Sequence, residues 1–165
     1  MKMKTLITLL AIFSSSVSFG QKNIEFPSFE KFYSNFGENL RYPSGLQDEW
    51  PSTITLMKIN FTGNGDVQSI SLSDSAFPQF VHLMEKMKEK LDFNSIYQDI
   101  KAKQKDVKQV LIPIHIDYEK IDVWKSSISS EDFKKLYVFN GKPISGKYFL
   151  YPNIYYKYVA GRVNE

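Results

Sequence analysis

The segment from Ser52 to Ser73, "STITLMKINFTGNGDVQSISLS", decides how the rest of the chain is read. Met57, Ile59 and Phe61 fall on one face of an extended strand and Lys58 and Asn60 on the other, the period of two expected of a strand. Ile54 and Leu56 lie on the opposite face, so the alternation is clean only toward the turn. Asn64-Gly65 tolerates positive φ and predicts a tight hairpin. The return strand, Val67 to Ser73, then places Ile70 and Leu72 on one face.

Upstream, "PSFEKFYSNFGENLRYP" (Pro27 to Pro43) predicts an amphipathic helix. Phe29, Phe32, Tyr33, Phe36 and Leu40 recur at three- and four-residue spacing. Ser28 suits an N-cap, with Glu30 in the first turn. Gly37 weakens the last turn, and Pro43 forces Tyr42 out of the helical region, so Tyr-Pro is a stop.

Downstream, "DSAFPQFVHLMEKMKEKLDF" (Asp74 to Phe93) switches to a period of 3.6. Phe80, Leu83, Met84, Met87 and Leu91 form an apolar stripe opposite Glu85, Lys86, Lys88, Glu89 and Lys90, with Asp74 or Ser75 as the cap. A methionine-rich stripe can serve as a binding surface, but at helical spacing beside a hairpin it reads as core. Asn94 to Gln109 is lysine-rich and weakly patterned, a helical extension followed by an exposed loop. "VLIPIHIDY" (Val110 to Tyr118) then alternates strongly, with Val110, Ile112, Ile114, Ile116 and Tyr118 on one face and Leu111, Pro113, His115 and Asp117 on the other. Pro113 cannot donate to a ladder, which predicts an edge strand or a bulge. An edge strand offers unpaired backbone groups to another chain.

Ser126 to Lys135 reads as a linker and a short helical turn. The aromatic-rich stretch from Lys135 to Gly161 reads as two or three short strands, with Asn140-Gly141 as a turn. Trp50, Trp124 and the tyrosines from Tyr148 to Tyr158 are either a second core layer on the open sheet face or an aromatic contact surface. Alternating aromatics in short strands favour the core. The fold class expected is therefore α+β: an αββαβ two-layer module with a small antiparallel sheet packed by two helices, followed by a C-terminal β-rich extension. The expected division is a signal peptide over 1–20, the module over 21–120 and the extension over 121–165.

The first stretch, "MKMKTLITLLAIFSSSVSFGQ", carries Lys2 and Lys4, an apolar run from Leu6 to Phe13 and a small-x-small site at Ser18-Phe19-Gly20. This is the pattern of a signal peptide cleaved after Gly20, and the run is too short to span a bilayer. A periplasmic or secreted chain with no stable membrane span follows. Losing that stretch takes the formal charge from +3 to about +1, and the remaining lysines are interleaved with acids, which disfavours nucleic acid. With no cysteine, there is no disulfide framework and no thiolate metal site.

The residues of catalysis are thin. His82 and His115 are the only histidines, at no metal-ligand spacing, and each reads as structural. There is no nucleophile elbow, phosphate-cradling glycine loop or dinucleotide fingerprint. Asp117 and Glu119 share a strand face, a pair that usually marks solvated acids. The expectation is a protein that is not an enzyme and needs no cofactor.

"NLRYP", "TLMKINFTGNGDVQSISLSDS", the amphipathic helix and "VLIPIHIDY" stand in an order that resembles the C-terminal domain of TonB-type energy transducers and its stand-alone periplasmic relatives. The resemblance covers about Phe29 to Tyr118. It departs from that pattern in Asn94 to Gln109, where a short glycine-bearing spacer is usual. It departs also in lacking the expected membrane anchor and proline-rich spacer. The resemblance implies a protein-interaction module whose last strand receives an extended partner segment, with an envelope protein such as an outer-membrane transporter or its complex as partner. By position, the partner-binding edge is Leu111, Ile112, Pro113, Ile114, His115, Ile116 and Asp117. The alternative is a small-ligand or glycan-binding periplasmic protein using the aromatic C-terminal region.

Overall fold

The hairpin forms where it is expected, in a computed structural model that describes residues 26–41, 51–103, 108–120, 124–125 and 127–160. Strand β1 is Thr53–Phe61 and β2 is Val67–Leu72, paired antiparallel with a bulge between Asn60 and Phe61. The turn is not the two-residue Asn-Gly type. Gly65 alone takes positive φ, at 95°, and Thr62 N–H donates to Asp66 O at 2.8 Å while Gly65 N–H donates to Thr62 O at 3.2 Å. A turn closed by one left-handed glycine with a bulge is the longer hairpin class. A side chain at Gly65 would also meet the Tyr97 ring, 2.4 Å from an added Cβ.

Helix α1 is Phe29–Asn39, and Leu40 leaves it in an extended conformation. Tyr42-Pro43, the predicted stop, lies outside the described residues, as do Trp50 and the first 25 residues. After β2 come two helices and not one: α2 (Pro78–Met87), a single 3₁₀ turn, and α3 (Phe93–Lys103). The break falls at Leu91, which is extended, and at Asp92, whose carboxylate accepts from Ser95 N–H at 3.2 Å. Asp92 thus starts a new helix in a stretch whose lysine content conceals its apolar stripe of Phe93, Ile96, Tyr97 and Ile100. Helix α2 is not capped by Asp74 or Ser75; Phe77 is its N-cap and Pro78 opens its first turn, a position where the missing N–H costs nothing.

Strand β3 (Gln109–Lys120) pairs antiparallel with β1, and β4 (Trp124–Lys125) pairs with its far end. Helix α4 (Ser130–Lys135) carries a capping box between Ser129 and Asp132. The hairpin β5 (Val138–Phe139) and β6 (Lys142–Pro143) turns through Asn140 and Gly141, both at positive φ. Asp74 holds that turn: its two carboxylate oxygens accept the N–H groups of Asn140 and Gly141, each at 2.8 Å. Strands β7 (Phe149–Leu150) and β8 (Ile154–Ala160) then pair parallel to β3.

The fold is α+β, but its sheet is mixed, in the order β2-β1-β3 with β7 and β8 beyond β3. A parallel return needs a crossover of a dozen or more residues, and residues 121–148 supply it. The first face carries α1, α2 and α3, whose Phe32, Phe36, Phe80, Met84, Met87 and Ile96 are buried against Met57, Ile59, Ile112 and Ile114. The methionine stripe is therefore core. The second face is partly covered by the crossover, where Leu136 and Phe139 bury Leu56 and Leu111 beside Ile54. Both faces of β1 are used, which is why its alternation blurs at Ile54 and Leu56.

The C-terminal strands are part of this core. Tyr151 and Ile154 are buried, and Asp99 accepts hydrogen bonds from Ser28 N–H (3.0 Å), Ser28 Oγ (2.9 Å) and Tyr151 Oη (2.8 Å). Ser28 is the N-cap residue of α1 as expected, but its hydroxyl is spent on Asp99 and not on its own helix. Burial and the Asp99 carboxyl push the Tyr151 phenol well above its ordinary range. Tyr156 stacks on Tyr33 at 4.8 Å and donates to its carbonyl at 2.5 Å, and burial and the neighbouring Tyr33 push it up to about 12. Its ring lies where a Cβ on Gly37 would be, 2.2 Å from the phenol oxygen. The glycine that weakens α1 as a helix is what admits β8 against it.

Candidate functional site

The predicted partner-binding edge is not an edge. Leu111 to Asp117 is flanked by β1 on one side and by β7 and β8 on the other, with Leu111 opposite Leu150 and His115 opposite Tyr155. Leu111, Ile112, Ile114 and Ile116 are buried in the two cores. Pro113 is accommodated by a different route. Leu56 spends its N–H and C=O on Ser73, so Leu56 and Pro113 form a non-hydrogen-bonded pair and Pro113 directs its missing donor away from β1. On that side β7 ends at Leu150 and β8 begins at Ile154, opposite Leu111 and Ile114. The proline sits in the gap between two strands, where a ladder bond is not needed.

The unpaired edge lies at the opposite side of the sheet, on β2. The Leu56–Ser73 bond fixes the phase: Ser69 and Ser71 pair with Asn60 and Lys58, so Ile70 and Leu72 point their backbone groups outward, and Gln68, at the bulge, has no register partner on β1. Among the described residues nothing hydrogen-bonds to the outward groups of Ile70 and Leu72. The strand carries no Lys, Glu, Asp, Arg or Pro, the residues that ordinarily blunt an edge. Beside it is a cleft of about 420 Å³ lined by Gly65, Asp66, Val67, Ile70, Lys88 and Leu91, and closed by Asp92, Phe93 and Asn94. The sequence placed Ile70 and Leu72 on one face; that their amides are unpaired follows only once the strand order is known.

The remaining polar cluster lies on the uncovered half of the second face. Asp117 accepts from His115 Nε2 at 2.9 Å, from Ser52 Oγ at 3.0 Å and from Tyr155 Oη at 3.1 Å. Burial alone would raise its carboxyl, but the Ser52 hydrogen bond, the His115 charge and the remaining donors outweigh it and hold the group below the usual carboxylate range. Burial and then Asp117 raise the Tyr155 phenol. Ser52, His115 and Tyr155 thus converge on one carboxylate, with the Ser52 hydroxyl donating to Asp117. Glu119 pairs with Lys157 and not with Asp117 as a bare carboxylate pair. His82, read as structural, is instead exposed on α2. Among the described residues no group of three His, Cys, Asp or Glu side chains can hold a metal ion, and no helix is long and apolar enough to cross a membrane.

The depressed carboxyl gives a pH test. A group held below its unfolded value stabilises the fold above about pH 4 and loses that contribution as pH falls through its folded value. A carbon-detected titration should place the Asp117 midpoint below the ordinary aspartate value, and Ser52→Ala should move it upward. An unmoved midpoint in Ser52→Ala would remove the hydrogen bond as the cause.

Searches of protein-family models, of curated proteins and of solved structures return no match to this chain.

Proposed function

We propose that the chain is an exported, non-catalytic interaction module of the TonB C-terminal type, one that receives an extended segment of an envelope protein by strand addition. The observation that carries this reading is the row of outward N–H and C=O groups at Ile70 and Leu72, continued by the bulged Gln68, on a strand without charges or proline. Main-chain pairing at such an edge supplies affinity with little demand on sequence. The docking edge in this reading is β2, because β3 is already paired on both sides.

Gln68→Pro tests it. Gln68 is exposed and, at the bulge, has no register partner on β1, so proline there removes a donor from the edge and leaves the paired β1 residues in place. The expected result is stability within about 1 kcal/mol of the parent and at least a tenfold loss of partner capture from an envelope extract. Equal capture by parent and variant overturns the reading, and so does failure of the parent to capture any envelope protein.

A second reading rests on Tyr155, a residue 40% exposed whose ring lies 5.2 Å from the His115 ring beside Asp117. An aromatic face flanked by hydrogen-bonding groups suits a small polar ligand such as a glycan. Binding that is lost in Tyr155→Ala and kept in Gln68→Pro belongs to this surface.

A further inference from the structure

The cleft beside β2 gives the visiting segment a chemistry. We propose that the segment received at this edge carries an aromatic side chain that fills the cleft, next to a lysine or arginine that meets Asp66. This rests on the strand-addition reading and adds to it what the visitor must look like.

The position of the cleft follows from the layers. Ile70 points to the helix-bearing face and is packed against the first core, while the β1–β2 turn and the start of α3 stand to either side of it. A strand added to β2 would lie about 4.8 Å further out and alternate its side chains between the two faces. Every second side chain of the visitor is then directed over Ile70, Leu91 and Phe93. Leu91 and Phe93 are nearly buried, at 7% and 4% exposure, so they form a finished apolar floor and do not themselves fill the space above. A volume of about 420 Å³ is more than an alanine or valine occupies and admits a phenylalanine or tryptophan ring. Phe93 in the floor adds an edge-to-face partner for such a ring.

The rim sets the charge. Lys88 is tied to Glu85 at 2.5 Å and Asp92 to Lys31 at 3.1 Å. The Asp66 carboxylate accepts only the Thr62 hydroxyl, at 3.5 Å, and no cation among the described residues pairs with it. It sits at the head of β2, where the neighbouring residue of an added strand comes within reach. A basic residue there answers a charge that the protein itself leaves open, and an acidic one is repelled.

Two acetylated, amidated octapeptides of alternating valine and threonine test this against the isotope-labelled chain. One carries a central phenylalanine followed by lysine; the other has alanine and glutamate in those places. Amide shifts at Gln68, Ile70 and Leu72 should appear with both, and the phenylalanine–lysine peptide should bind at least tenfold tighter. Leu91→Trp, which fills the cleft from within, should bring the two affinities together. Asp66→Asn, an exposed change that leaves the core untouched, should weaken the phenylalanine–lysine peptide several-fold and abolish the salt dependence of its advantage. Equal affinities with both sets of edge shifts present overturn the aromatic-and-basic inference and leave strand addition standing. No shifts at the edge with either peptide overturn both. Shifts at the same amides that grow with protein concentration alone, with a doubled mass in sedimentation, identify a second copy of the chain as the occupant and overturn the proposal.

Discussion

Ending the chain after Gly146 is expected to abolish the folded state. The truncation removes β7 and β8, and with them Tyr151 and Ile154, which are fully buried, and Tyr156 and Tyr158, which are packed against the same core. Full burial of a large side chain contributes about 1.5–3 kcal/mol, so Tyr151 and Ile154, with a partial share from Tyr156 and Tyr158, approach the lower end of the 5–15 kcal/mol that typically holds a domain. The backbone of β3 would lose its parallel partners at Val110–Leu111 and Ile114–Lys120 at the same time. Far-ultraviolet circular dichroism and a urea titration should show no cooperative transition. A truncated chain that unfolds cooperatively, with a midpoint near the parent's, would show that the tail is a dispensable extension.

Asp99→Ala should be the most damaging of these single substitutions. It strands three donors at once, the Ser28 N–H and hydroxyl and the Tyr151 phenol, at a site that is 5% exposed. Leaving buried donors unpaired costs about 1–3 kcal/mol each, partly relieved by water reaching Ser28. The expected loss is about 3–5 kcal/mol, or on the order of 10 °C in Tm. Tyr151→Phe keeps both Ser28 bonds and should lose only about 1–2 kcal/mol. Chemical denaturation of both variants decides it. An Asp99→Ala protein within about 1 kcal/mol of the parent would mean that the three bonds are replaced by solvent and do not join α1, α3 and the tail.

The local elements were legible because each rests on short-range chemistry. The hairpin, α1, the stripe of α2 and the strand at Val110 to Tyr118 follow from spacing that does not depend on what packs against it, and the α+β class follows from their order. What was hidden is non-local. Nothing in "VLIPIHIDY" says that Tyr155 and Lys157 will lie alongside it, because parallel pairing across a crossover leaves no turn signature between the partners. Pro113 was read as the mark of an edge, and it does mark a missing ladder bond. That bond is lost in a gap between two strands and not at open solvent. Asp74 and Ser28 illustrate the same limit. Both look like helix caps for the residues that follow them, and both are taken instead by partners far away in the chain, Asn140 and Gly141 for one and Asp99 for the other. Of the two candidate docking features, the exposed β2 amides required the strand order, and the cleft required the helix break at Leu91 and Asp92.

The parallel return of β8 onto β3 has a bearing on how the polypeptide matures. Strand β8 is synthesised well over a hundred residues after α1, and it is the surface that α1 needs for Tyr33 and Gly37 to settle. Until β8 has left the ribosome, the middle of the sheet stands open with Ile112 and Ile114 behind it. Such a chain is vulnerable to wrong pairing for as long as β8 is delayed, so a holding factor would help it more than faster folding of its hairpin.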